Sequence, residues 1–316
     1  MRSSRRSCAR SLLPIALLAL SPAVAAPEET RLPLVELSAP PCTIVHPASL
    51  SREAGLAAAA LPSILDRLSR RLEAPPLPAC RFYLVTQAEL SDEDVEDASS
   101  AMPDWAAGIA LPDIGTVVIR ADRVGSWRQR ELTGVLAHEA AHLLMAAAAG
   151  EGADRMPGWF REGVAANLAR DGEWLDFFYL WVSPIPSSER PLSELEGFFR
   201  AEDQPVLVKA AYSGAFSFLR FVMAKHSSAL PAGVLRGLRR GLDFENAWSE
   251  AADGPLSRDE REWSEQVRGG TRWAAIITSS ATLWLAITLM VLLAWLLKRR
   301  RSARVLERWS EEDPYG

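Results

Sequence analysis

Val135-Leu136-Ala137-His138-Glu139-Ala140-Ala141-His142-Leu143-Leu144 is the stretch from which the rest of the chain is read. His138 and His142 stand four apart inside an apolar run, a spacing that stacks two side chains one turn apart on a single helix face. Both imidazoles can then point at one ion. Glu139, beside the first of them, stands next to any water that the ion polarises and can take its proton. The chain holds only four histidines, His46, His138, His142 and His226, so an H-E-x-x-H arising by chance is rare. The flanking apolar residues bury this helix, and buried imidazoles are costly without a metal or a hydrogen-bond partner. Two surface histidines on an amphipathic helix, the alternative, fit that apolar flank poorly.

Two histidines do not complete a site, because catalytic zinc takes three protein ligands and keeps one position open. A third histidine six residues after His142 is absent, since Ala148 stands there, which leaves a carboxylate on a following helix. Pro157-Gly158-Trp159-Phe160-Arg161-Glu162-Gly163-Val164-Ala165 comes next, across a Gly-rich turn. In this segment the chain resembles the gluzincin peptidases, most closely the peptidase MA-like group. Pro157, Trp159, Glu162, Gly163 and Ala165 match that group's P-x-W-x-x-E-G-x-A pattern. The resemblance implies Glu162 as the third ligand beside His138 and His142, one Zn2+ ion as cofactor, Glu139 as general base, and protein or peptide as substrate. It also implies a zincin-like fold, with a small N-terminal sheet, the active-site helix and a helical C-terminal lobe.

A looser similarity runs from about Leu61 to Arg268. Ala211-Tyr212-Ser213 resembles the family's tyrosine-containing helix start, which makes Tyr212 the preferred donor to a developing oxyanion. His226, beside Lys225 at a helix end, reads as a surface residue, and His46 receives no role. Related enzymes present an edge strand to extended substrate just before the zinc helix, a place that Thr116 to Arg120 occupies here. One departure is Ala166, where thermolysin-like relatives carry an acidic residue that orients a histidine.

Around these motifs the apolar pattern predicts an α+β domain, strands first and helices later. A helix is expected over Ser63 to Leu72, with Pro62 in its first turn and Pro75-Pro76 ending it. Phe82 to Val85, Gly108 to Leu111 and Thr116 to Arg120 read as strands. The zinc helix is expected from a cap at Ser126 to about Ala149, broken by Gly150 and Gly152. Trp159 to Arg170, Ser213 to Lys225 and Ala232 to Arg240 are the clearest later helices.

Both ends carry targeting features. Arg2, Arg5, Arg6 and Arg10 precede a short apolar run and then Ala23-Val24-Ala25-Ala26, the layout of a cleavable signal peptide over residues 1–26. From Trp273 to Leu297 no residue is charged, which exceeds the roughly 20 residues needed to cross hydrocarbon. Lys298-Arg299-Arg300-Arg301 follows, and positive charge stays in the cytoplasm. The expected order is therefore signal peptide 1–26, lead segment 27–60, peptidase domain 61–268, one transmembrane helix 273–297 and a cytoplasmic tail 298–316. This places the main domain outside the cytoplasm, where Cys42 and Cys80 can form a disulfide once Cys8 has left with the signal peptide.

A formal net charge of −5 and the lack of a basic stripe in the soluble region argue against nucleic-acid binding. Two readings of function remain: a membrane-anchored zinc peptidase, or a zinc-stabilised binding module that keeps the metal without catalysis. Glu139 separates them, since hydrolysis requires it and metal binding alone does not.

Overall fold

The computed structural model describes residues 33–87, 102, 106–124, 129–169, 191–199, 205–277, 287–295 and 298. The expected signal peptide, the cap at Ser126, positions 278–286 and 296–297 of the expected membrane span and the tail beyond Lys298 lie outside them.

Five strands form one sheet: β1 (Leu34–Ala39), β2 (Cys42–Pro47), β3 (Cys80–Val85), β4 (Gly108–Leu111) and β5 (Thr116–Arg120), in the order β1-β2-β3-β5-β4. β2, β3 and β5 run parallel, while β1 and β4 pair antiparallel at the two edges. The helices that build the domain are α1 (Ser51–Leu72), α2 (Gln129–Ala149), α3 (Gly158–Ala169), α4 (Leu192–Phe198), α5 (Pro205–Lys225), α6 (Leu230–Arg239), α7 (Phe244–Ala252) and α8 (Leu256–Ile277). The fold is thus mixed α and β, with helices dominant over a small sheet. α1 crosses between two parallel strands, so strands and helices are not wholly segregated along the chain.

Strand alternation decides what each sheet face meets. Ile44, Phe82, Leu84, Val117 and Ile119 join the main core with α1 and α2. Val45, Tyr83, Val85 and Val118 form a second, smaller cluster with Ile109, Leu111 and Met102 against it.

The stretch expected as a lead segment is part of the folded domain. Residues 34–47 form the β1–β2 hairpin with Pro40 and Pro41 in its turn, and α1 begins at Ser51, so the expected boundary at residue 61 falls inside a helix. Prolines obscured these elements, yet each sits at a turn or strand end, where no ladder N–H is required. Pro62 lies within α1 instead of starting it. An internal proline normally breaks a helix, but Ala54, Ala57 and Leu61 before it bury on the same face as Ile64, Leu65, Leu68 and Leu72 after it. Packing of that continuous stripe carries the helix across the missing hydrogen bond.

Cys42 and Cys80 are register partners in β2 and β3 and form a disulfide with Cα atoms 4.4 Å apart. The bridge closes the loop that contains α1 and so restricts the unfolded chain. Replacing both cysteines by alanine is expected to lower unfolding free energy by about 2–4 kcal/mol. Chemical denaturation of oxidised wild type beside the double variant checks this; equal midpoints contradict it.

The helical half is held by aromatic packing. Trp159 of α3 meets Phe218 and Phe244 at 5.5 Å between ring centroids and Trp248 at 6.0 Å. Asp259 of α8 is fully buried and accepts from Lys225 Nζ at 2.9 Å, His226 Nε2 at 3.0 Å and Trp248 Nε1 at 3.1 Å. Burial alone would raise that carboxyl, but the hydrogen bonds from Lys225, His226 and Trp248 hold it below its ordinary value. This cluster ties α8 to α5 and α7. It also corrects the reading of His226: its side chain is 16% exposed and anchored, not a free surface group.

Among the described residues, two helical stretches, Leu132–Arg155 and Val206–Lys225, are long and apolar enough to cross a membrane. Both contain core helices, with 61% and 53% of their apolar windows buried inside the protein. Residues 287–295 differ: they are helical, and Leu289, Met290, Val291, Leu292, Leu293 and Trp295 each expose more than half of their surface.

Candidate metal centre

α2 delivers His138, Glu139 and His142, and α3 delivers Glu162 from the adjoining helix. α2 ends at Ala149, Gly150 follows in the left-handed conformation, and the short 3-10 turn Gly150–Arg155 leads into α3. That tight connection lays α3 beside α2.

Trp159, Gly163 and Ala165 of the motif around Glu162 each have a packing reason. Trp159 is the ring on which the helical half stacks. A Cβ on Gly163 would lie 2.7 Å from the Ala215 carbonyl oxygen and 2.9 Å from Leu219 Cδ2, so glycine lets α3 and α5 approach closely. Val164 and Ala165 are fully buried. Asn167 Nδ2 donates to Gly163 O at 2.7 Å and to Phe216 O at 3.0 Å, joining the two helices further. Glu196 of α4 accepts from the Trp159 amide at 3.2 Å, where a carboxylate satisfies a free N–H and complements the helix dipole. At the other end of α3, Arg67 Nη1 donates to Leu168 O at 3.1 Å. Glu196, Asn167 and Arg67 went unremarked in the sequence, because a lone polar residue on a helix gives no sign of its distant partner.

The donor atoms converge. His138 Nε2 lies 3.3 Å from Glu162 Oε2, His142 Nε2 lies 3.2 Å from His138 Nε2, and His142 Nε2 is 3.7 Å from Glu162 Oε2. Metal–nitrogen bonds of about 2.0–2.1 Å in a tetrahedron place neighbouring ligand atoms about 3.3 Å apart. The observed triangle has that size. These three residues form a group that can hold a metal ion, and two imidazoles with one carboxylate are donors of the kind that divalent transition metals take.

The electrostatics distinguish the two glutamates. Burial raises the Glu139 carboxyl to about 7; the charge on His138 opposes the rise and that on Glu162 adds to it. Burial acts on Glu162 as well, but the charges and hydrogen bonds of His142 and His138 outweigh it and hold this carboxyl well below the usual range. Glu162 therefore stays ionised, as a ligand must. Burial, then the charges of Glu162 and Glu139 and a hydrogen bond to Glu162, push the Tyr212 phenol far above its ordinary value. Its hydroxyl remains protonated and donates to Glu162. The Tyr212 ring packs edge-on against Phe199, 5.0 Å between centroids.

Thus the structure gathers His138, His142, Glu162, Glu139 and Tyr212, and leaves His46 and His226 elsewhere. His46 is buried at the end of β2, its Nδ1 2.8 Å from Pro47 O. The strand assignment needs correction. β5, expected as the edge strand beside the metal helix, lies inside the sheet between β3 and β4. The segment Gly108–Leu111 folds back through Pro112–Ile114 to cover it, so β4 is the edge strand. β4 also touches the site, since a Cβ on Gly108 would meet the Glu139 side chain. No protein-family model matches this chain, and a search of curated proteins finds no match either.

Proposed function

We propose that this chain is a gluzincin-type zinc peptidase, tethered to a membrane by one helix, with its catalytic domain outside the cytoplasm. One observation carries the reading. Two histidines and an ionised glutamate converge at tetrahedral ligand spacing, while a separate, buried glutamate with a near-neutral pKa stands beside them.

Zinc, when bound by His138, His142 and Glu162, supplies Lewis acidity toward water and toward the scissile carbonyl. Glu139 accepts a proton from water as the water oxygen bonds to the carbonyl carbon. It then gives that proton to the amide nitrogen as the C–N bond breaks. A pKa of about 7 suits a group that both takes and returns a proton near neutrality. Tyr212 has a single O–H, which donates to Glu162 in the metal-free protein; with that carboxylate taken up as a ligand, it would turn to the oxygen that gains charge. Among the described residues β4 pairs with β5 alone, which leaves an edge where an extended peptide can add as a strand.

Metal analysis of the full-length protein in detergent, followed by a broad peptide-cleavage screen, tests this reading. About one zinc per chain with cleavage is expected. Bound zinc without cleavage of any peptide favours the non-catalytic binding module.

The membrane reading rests on the uncharged run 273–297 and on the solvent-facing apolar helix at 287–295. A reporter fused after Gly316 is expected to be active only in the cytoplasm, and one fused near Gly269 only outside, because the cationic cluster follows the span. Protease access to the C-terminus in intact spheroplasts contradicts this orientation.

A further inference from the structure

Gly108 opens β4 and pairs with Ile119 of β5. Glycine weakens a strand, because it is entropically costly and packs nothing. Its φ is not among the positive values found at Gly115, Gly150, Gly241 and Gly254, so the backbone at 108 would accept alanine. What a side chain would meet is Glu139. An ideal Cβ at 108 falls 2.7 Å from Glu139 Oε1, 2.9 Å from its Cγ and 3.0 Å from its Cδ. No backbone atom is among those three nearest neighbours.

We infer that Gly108 is a positioning residue for Glu139: its bare Cα leaves the space in which that carboxylate is held beside His138, His142 and Glu162. Glu139 is only 6% exposed, so it fills a packed niche whose wall on one side is the β4 backbone. A methyl group at 108 claims part of that niche. The side chain of Glu139 is softer than the two paired strands, so it turns aside while the sheet holds. His138, His142 and Glu162 are not among the atoms nearest the added methyl group, so the metal triangle remains. The substitution therefore separates the carboxylate from the metal triangle without dismantling either helix. Its consequence for hydrolysis rests on the peptidase reading; the steric coupling does not.

A double-mutant cycle on the full-length protein decides this: wild type, Gly108→Ala, Glu139→Ala and the double variant. Metal-free thermal midpoints, zinc content and peptide hydrolysis are measured on all four. Gly108→Ala is expected to lower the midpoint by about 2–4 °C in wild type. In the Glu139→Ala background, where the opposing side chain is gone, it leaves the midpoint unchanged or raises it. Zinc content stays the same across the set. Hydrolysis by Gly108→Ala falls on the order of a hundredfold, the effect of misplacing a reacting group by about 1 Å, with no further fall when it is added to Glu139→Ala. Folding of the double variant where Gly108→Ala alone fails to fold also supports the coupling. The inference is overturned if Gly108→Ala costs the same in both backgrounds, if the double variant fails to fold, or if Gly108→Ala loses zinc. Preserved coupling in a wild-type protein that binds zinc but cleaves nothing retains the positioning of Glu139 and rejects the peptidase reading.

Discussion

Replacing Glu139 by glutamine is expected to lower peptide hydrolysis by at least about a hundredfold, and up to about ten-thousandfold, with zinc content unchanged. Glutamine keeps the length and nearly the shape of the side chain, so it fits the niche beside Gly108, but it cannot accept a proton near neutrality. The ligand triangle consists of His138, His142 and Glu162, none of which the substitution touches. Folding gives a second readout. Burial raises the Glu139 carboxyl to about 7, above the value of an exposed glutamate. The metal-free native state therefore binds more protons than the unfolded chain between about pH 4.5 and 7. Stability contributed by this group is present at low pH and is lost as pH rises through that window. Glutamine carries no such charge, so at pH 7 the metal-free variant is expected to melt at or above wild type. Wild-type cleavage rates in Glu139→Gln would remove Glu139 from the role of base.

Removing a ligand has a different signature. His138→Ala and His142→Ala are each expected to weaken zinc binding by more than about a hundredfold, because even the outer partners of metal ligands are worth 10- to 100-fold. Glu162→Gln is expected to bind zinc weakly too, since a neutral amide is a poor substitute for a carboxylate. It also removes the ion that accepts from Tyr212 and sits 3.3 Å from His138. Competition titrations against a chelator of known affinity measure these losses, and hydrolysis at saturating zinc shows how much activity added metal restores. An affinity within a fewfold of wild type in either histidine variant rules that residue out as a ligand. Across the set, Glu139→Gln loses turnover with metal retained, whereas the ligand variants lose metal first.

Legibility in the sequence followed the range of the interaction. The strands at Gly108–Leu111 and Thr116–Arg120 match the ranges expected for them, because short apolar runs and the Pro-Asp-Ile-Gly turn between them are local signals. The helix end at Ala149 was legible from Gly150 for the same reason. The β1–β2 hairpin and the first half of α1 are hidden from local pattern because proline is a helix and strand breaker by itself, while the packing that tolerates Pro62 is tertiary. Local pattern likewise could not assign the sheet order, which put β4 rather than β5 at the edge.

The sequence by itself determined which atoms can act. Four-residue spacing on a helix aims His138 and His142 the same way, and the glutamate beside them comes with the turn. Only the tertiary structure decided how those atoms meet. It closed the triangle to 3.2–3.7 Å by laying α3 beside α2 through the short turn Gly150–Arg155. It brought the hydroxyl of Tyr212 onto Glu162 and set the backbone of Gly108 against Glu139. Helix periodicity is written in a few neighbouring residues, whereas the distance between two helices depends on every side chain packed between them.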